Sequence, residues 1–268
     1  MKALIAPPDT AEREYTRVLL AYVRSIVAQT RKLILPSIGG IVKSYSQTVK
    51  ADGYAEDIVI ALGLLLDQII SNGRVAEYRL PGLFALVSKN NDRSFIMAVK
   101  GATGVPLPPS EANPRVSILG ANVYRSEPWL AEMQSAWVDQ NISLVKSIGK
   151  QYHDKLEVII KNGVFNGWSP KQLQTEIEKQ FDITANRAKL IARDQILGAN
   201  ARLTQIRAES IGVTEYIWRT VGDSRVRDSH VDLNGKTFSW DKPPSEGHPG
   251  TPINCRCRAE LKLPPLLG

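Results

Sequence analysis

Gly212-Val213-Thr214-Glu215-Tyr216-Ile217-Trp218-Arg219-Thr220 is where this chain changes its period. From Thr214 onward polar and apolar residues alternate, and aromatic and β-branched types dominate, which predicts a strand. A second strand is expected over Lys236-Thr237-Phe238-Ser239-Trp240, because Asn234-Gly235 just before it is a strong turn signal. Pro243 to Pro252 reads as a Pro/Gly-rich loop. Upstream of Gly212 the spacing is helical. Trp129, Met133 and Trp137 lie four apart, and Ile142, Val145, Ile148 and Tyr152 continue the stripe, which reads as core. Gly163 and Gly167 interrupt it. Ser169 as N-cap and Pro170 at the first helical position restart it. Leu173, Ile177 and Phe181 then share a face. Asp182-Ile183-Thr184 reads as a turn, with Thr184 capping a further helix that carries Ala188, Ile191, Ala192 and Ile196.

Toward the N-terminus, residues 11–34 place Val18, Tyr22, Ile26 and Ile34 on one stripe, and Pro36 with Gly39-Gly40 ends it. A second helix is expected from after Asp52-Gly53 to Ile70, buried, with Gly73 as a left-handed cap. Phe84 to Ser88 and Ser94 to Val99 flank Asn90-Asn91-Asp92. That pattern fits a short β-hairpin or a helix with a polar break. Residues 101–114 carry Gly101, Gly104, Pro106, Pro108, Pro109 and Pro114 and read as a linker. The expected organisation is a mostly helical region over 1–114 and a second domain over 115–268, helical across 126–212 and strand and loop across 213–268. The fold class is mainly α with a small C-terminal α+β module of short antiparallel strands and Pro/Gly-rich loops.

The 268 residues are 43% apolar, enough for a real core. A formal net charge of +7 favours an anionic partner, nucleic acid first; the alternative is a mildly basic soluble surface. The two cysteines are too close for a disulfide framework and suit a reducing cytoplasm. No signal peptide is visible. The longest apolar run, Ile58 to Ile70, is broken by Asp67 and falls short of the roughly 20 residues of a spanning helix, so no membrane partner is expected.

His230, His248, Cys255 and Cys257 fall within the last forty residues, and His153 is the one other histidine. Two imidazoles and two thiolates suit a tetrahedral structural zinc. The alternative is a buried Cys255 with both histidines bonding loop backbone. A catalytic zinc would need an open position and a base such as Glu246. The run Asp223-Ser224-Arg225-Val226-Arg227-Asp228-Ser229-His230 reads as a salt-bridged turn; Arg225 or Arg227 would otherwise reach phosphate or an acidic partner. Ser, His and Asp occur together there without a Gly-x-Ser-x-Gly elbow. Arg187, Lys189, Arg193, Arg202 and Arg207, diluted by Asp194 and Glu209, read as a solvated face or a DNA contact. No Walker loop, dinucleotide fingerprint or His-Glu-x-x-His is present. No catalytic residue and no organic cofactor is expected.

An ordered series over about seventy residues resembles the phage Mu F-like family of minor head, or head morphogenesis, proteins of tailed bacteriophages. It comprises the run from Arg187 to Gln195, then Gly212 to Thr220, Asp223 to Arg227, and His230. Leu233 to Trp240, Pro243-Pro244, Gly247 to Gly250 and Asn254-Cys255-Arg256-Cys257-Arg258 complete it. The resemblance extends more loosely to Pro128-Trp129, Trp137 and Asn141 to Ile148. It implies a low-copy, non-enzymatic protein of the head interior, near the portal, present in the host cytoplasm during assembly. Its partners would be portal, capsid or scaffold proteins, and double-stranded DNA in some members. Some relatives carry Cys-x₂-Cys where this chain has Arg227 and His230, which leaves His230, Cys255 and Cys257 with His248 as the fourth ligand. Arg225, Arg227, Arg187 and Arg193 are the candidate partner-contacting or fold-holding groups. The rival readings are a metal-dependent enzyme acting on nucleic acid and a DNA-ejection factor.

Overall fold

The computed structural model describes residues 3–40, 42, 56–107, 115–118, 121–124 and 127–263. Its helices are α1 (Asp9–Leu33), α2 (Glu56–Tyr78), α3 (Leu80–Thr103), α4 (Leu130–Phe165), α5 (Pro170–Ser210) and the short α6 (Asp228–Leu233). The strands are β1 (Arg115–Ile118), β2 (Ala121–Tyr124), β3 (Glu215–Arg219), β4 (Thr237–Ser239) and β5 (Arg258–Leu261). The chain is therefore mainly α with a small C-terminal antiparallel sheet, as the periods imply. It falls into two compact units, each drawn from separated stretches of sequence.

One unit comprises Thr16–Leu80 and Asp139–Ala192. Leu19, Tyr22, Val23 and Ile26 of α1 are buried at helical spacing, and Arg31 and Lys32 sit in the last turn, where they complement the helix dipole. Tyr22 Oη donates to the Ile69 carbonyl at 3.2 Å, and Tyr152 Oη donates to Thr30 Oγ1 at 2.8 Å. Gly149 of α4 lies so close to Tyr22 that a Cβ there would stand 2.2 Å from its hydroxyl oxygen. Helix α5 starts where Ser169-Pro170 says it should. Gln172 N–H donates to Ser169 Oγ at 3.3 Å, and Ser169 N–H donates to Gln172 Oε1 at 2.8 Å, a reciprocal capping box.

Several local expectations give way in this part of the chain. Helix α2 continues past Gly73 to Tyr78; Gly73 is a helical residue packed on Tyr22, not a cap. Nor is α2 buried all round. Ile58, Leu62, Leu65 and Ile69 face inward, whereas Val59, Ile60, Leu64 and Ile70 are exposed on the opposite side. By length and composition alone the helical stretch Ile58–Thr103, which spans α2 and α3, is apolar enough to cross a membrane. The turn at 182–184 is also absent: α5 runs through it, because Thr184 occupies the inward face between Ile177 and Ala188.

The other unit comprises Met1–Tyr15, Pro81–Val138 and Arg193–Gly268. Of the two readings at 84–99, a β-hairpin or a helix with a polar break, the structure has the helix, as part of α3. Phe84, Val87, Asn91, Phe95 and Val99 form its buried stripe at spacings of three and four. A polar residue inside that stripe disguised the period. The pair β1 and β2 is antiparallel, and residues 108–114 of the linker lie outside the described residues.

The three-stranded sheet has the order β4-β3-β5, all antiparallel. Its central strand is the one whose alternation marks the change of period, and Tyr216 and Trp218 are fully buried on it. Trp240, Cys255, Cys257, Ala259 and Leu261 join them in one core, together with Ala3 and Ile5. The N-terminal residues cover the outer edge of β5: Leu261 N–H donates to the Ala3 carbonyl at 2.9 Å, and Leu4 bridges Glu260. That pairing satisfies backbone groups an open strand edge would leave exposed.

Candidate metal centre and the arginine turn

His230 sits in the middle of α6, and its ring packs edge-on against Trp218 of β3 at 5.2 Å between centroids. Cys255 and Cys257 come from the turn that leads into β5. Asn254 opens that turn in the left-handed region (φ 58°), a conformation Asn tolerates better than most residues. Its N–H donates to Asp194 Oδ1 at 2.8 Å, which anchors the turn to α5. Gly250 has φ +90°, and a Cβ there would meet Ala201 at 3.0 Å, so only glycine lets this backbone approach.

The result is a buried cluster. His230 Nδ1 lies 3.6 Å from Cys255 Sγ and 3.6 Å from Cys257 Sγ. The ligand atoms of these three residues all fall within 4.8 Å of one another. The other ring nitrogen, Nε2, lies 3.2 Å from Glu246 Oε2. A carboxylate there takes an N–H, which leaves Nδ1 of a neutral imidazole with its lone pair toward the sulfurs. The Cys255 thiol is shifted down to about 6, first because Cys257 donates to it. Cys257 is pushed up by that same bond and by burial.

His248 does not join them. Its Nδ1 is 3.0 Å from Tyr216 Oη, and its ring lies tilted against Trp240 at 5.3 Å between centroids. Burial, the largest cause, lowers its pKa and favours the neutral form, against a backbone hydrogen bond at Trp240 that raises it. Three of the four expected ligands therefore converge, and the fourth is a half-buried loop histidine packed against Tyr216 and Trp240. Glu246, the candidate base, is engaged at Nε2, on the opposite side of the imidazole from the sulfurs.

The charged turn is cross-braced. Asp223 accepts from Arg225 Nη2 at 3.4 Å and from Arg256 Nη2 at 2.6 Å. These bonds, Arg256 first, hold its carboxyl down at about 2. Arg227 Nη2 donates to the Ile253 carbonyl at 2.7 Å and ties the approach to α6 to the approach to the cysteines. Arg187 Nη2 donates to Ser147 Oγ at 3.0 Å, and Arg193 pairs with Glu12 at 3.0 Å. All four arginines singled out in the sequence thus have partners within the chain.

One arginine of the expected basic face lies in the core instead. Arg207, grouped above with a solvated basic face, is fully buried. It grips both oxygens of Glu127 at 2.6 and 2.8 Å, and also bonds Ser88 and Asn91. Asn91 in turn donates to Asn200 and Thr204. The only hint in the sequence is a run of polar residues, Asn90-Asn91-Asp92, between two apolar segments.

The comparisons with known proteins point the same way as the quoted motifs. Residues 154–260 match the family model described as Phage Mu protein F like protein.

This stretch is similar to that family. The Mu F-like segment contains β3, α6, His230, both cysteines and most of β5. An "Uncharacterized protein" of Haemophilus influenzae (strain ATCC 51907 / DSM 11121 / KW20 / Rd) is 40% identical over 134 residues, 50% of this chain. The chain spans 30% of that protein's length. No solved structure matches the chain.

Proposed function

We propose that this chain is a minor capsid, or head morphogenesis, protein of a tailed bacteriophage that docks near the portal or the inner capsid wall during head assembly. The observation that carries the reading is the Mu F-like match across residues 154–260, which supports a bacteriophage head morphogenesis protein. The finer placement at the portal is what the resemblance to that family implies, and the surface of the chain offers interface chemistry for a partner. Val59, Ile60, Leu64 and Ile70 give α2 an outward apolar face of the kind proteins bury against partners. The +7 net charge suits a second, electrostatic contact with packaged DNA. The work is binding, with no bond made or broken.

The test is genetic and biochemical. The protein is expected to co-purify with proheads and filled virions, and deletion of its gene is expected to lower the yield of filled, infectious particles. Particles that assemble, fill and infect normally without it overturn the reading. DNA contact predicts an affinity that falls steeply as salt rises; no binding at low salt removes that part alone.

A further inference from the structure

We propose that His230, Cys255 and Cys257 are three protein ligands of a Zn²⁺ ion whose fourth coordination position opens into the recess bordered by Arg225, Arg227 and Arg256. This does not depend on the assembly role proposed above. Two thiolates and an imidazole nitrogen are the donors that zinc prefers and that magnesium and calcium avoid.

The spacing fits. Zinc bonds of ~2.3 Å to sulfur and ~2.05 Å to nitrogen at a tetrahedral angle put N and S about 3.6 Å apart. That is the separation of His230 Nδ1 from each sulfur. A single lone pair on Nδ1 takes one S–H, so a hydrogen bond accounts for one equal approach and not for two. Trp218 Nε1 is buried in the same core as Cys257 and has no hydrogen-bond partner among the described residues; a Cys257 thiolate would supply one. Glu246 behind His230 completes the carboxylate–histidine arrangement that fixes the tautomer of a metal-binding ring.

The fourth position follows from what is near. Among the described residues no other His, Cys, Asp or Glu joins the three-donor cluster, since His248 is engaged with Tyr216. All three donors line a recess of about 80 Å³, room for a water ligand. Binding releases the thiol protons to solvent, and the two thiolates offset the charge of the ion. The ion would tie α6 to the turn feeding β5, a brace between His230 and Cys255, 25 positions apart in the sequence.

The experiment uses the full chain, purified with zinc in the medium, dialysed, and assayed for metal content, helical circular dichroism and thermal unfolding. One zinc per chain is expected, with a melting temperature that drops on chelation and returns with zinc. His248→Gln is expected to keep the metal. Glu246→Gln is expected to bind it roughly 10–100-fold more weakly. Cys255→Ser and Cys257→Ser are expected to lose it, but the wild-type result decides if either fails to fold. Helical, cooperatively melting wild-type protein that retains no zinc overturns the site. With cobalt in place of zinc, a thiolate charge-transfer band that shifts on adding azide supports the open position. A band insensitive to every small ligand overturns that part and points to a fourth protein ligand.

Discussion

Replacing Arg207 by methionine removes a guanidinium that makes five hydrogen bonds: two to Glu127, two to Ser88 and one to Asn91. Burial sets the magnitude. The side chains of Arg207 and Glu127 are only 2% and 9% exposed. A solvent-exposed pair is worth about 0–1 kcal/mol, but removing one partner of a buried pair leaves an uncompensated charge and costs about 3–5 kcal/mol. Methionine fills part of the volume, so the expected loss is electrostatic more than steric. A second substitution, Glu127→Leu, removes the carboxylate that has lost its guanidinium and should recover much of the loss. About 1–3 kcal/mol should remain, because Ser88 and Asn91 still lack a partner. Arg207→Lys should fall between, since a point charge cannot grip both carboxylate oxygens at once. Urea unfolding followed by tryptophan fluorescence is a direct assay, because Trp129 lies under the guanidinium at 6.0 Å. If Arg207→Met costs under about 1 kcal/mol, or Glu127→Leu added to it makes matters worse, the buried-pair argument fails.

Gly149→Ala would place a Cβ 2.2 Å from Tyr22 Oη and 2.3 Å from Ile69 Cγ2. An overpacked core of this kind loses about 1–3 kcal/mol; a lowered melting temperature, partly restored by adding Tyr22→Phe, is the expected readout. Burial holds His248 below its ordinary pKa, so its contribution to stability is complete above the unfolded value near 6.5 and is lost as pH falls through the lower folded value. In metal-free protein, His248→Gln should flatten that part of the stability–pH curve; an unchanged slope would count against the half-buried neutral ring. Asp223, held at about 2 chiefly by Arg256, supports the turn above its unfolded pKa of 3.8 and loses that support as pH drops toward 2. Asp223→Asn should remove this acid sensitivity, which melts between pH 5 and pH 2 would show.

Much of the candidate site was legible because its signals are local. Rare residue types gather in one short stretch, and the alternating charges from Asp223 to Arg227 do form a braced turn. What could not be read was which histidine faces the sulfurs. Choosing His230 over His248 depends on Tyr216 and Trp240 occupying the second ring, and those contacts exist only once β3 and β4 pair. The long helices misled for a related reason. Asn91 and Thr184 look like breaks when hydrophobicity is the only guide, yet both lie on buried faces, Asn91 because Asn200, Thr204 and Arg207 satisfy its amide.

Residue order by itself determined the helical stretch from Ser169, the strand from Thr214 and the gathering of His and Cys near the C-terminus. Capping, backbone preference and the partition of side chains between water and core act over a few residues, so their traces survive in the linear chain. Tertiary structure alone decided that Arg207 is buried against Glu127, 80 positions away, and that the N-terminus closes the edge of β5. A charge or a strand edge can be satisfied by any suitable partner, and which one is within reach is settled only when the chain has packed.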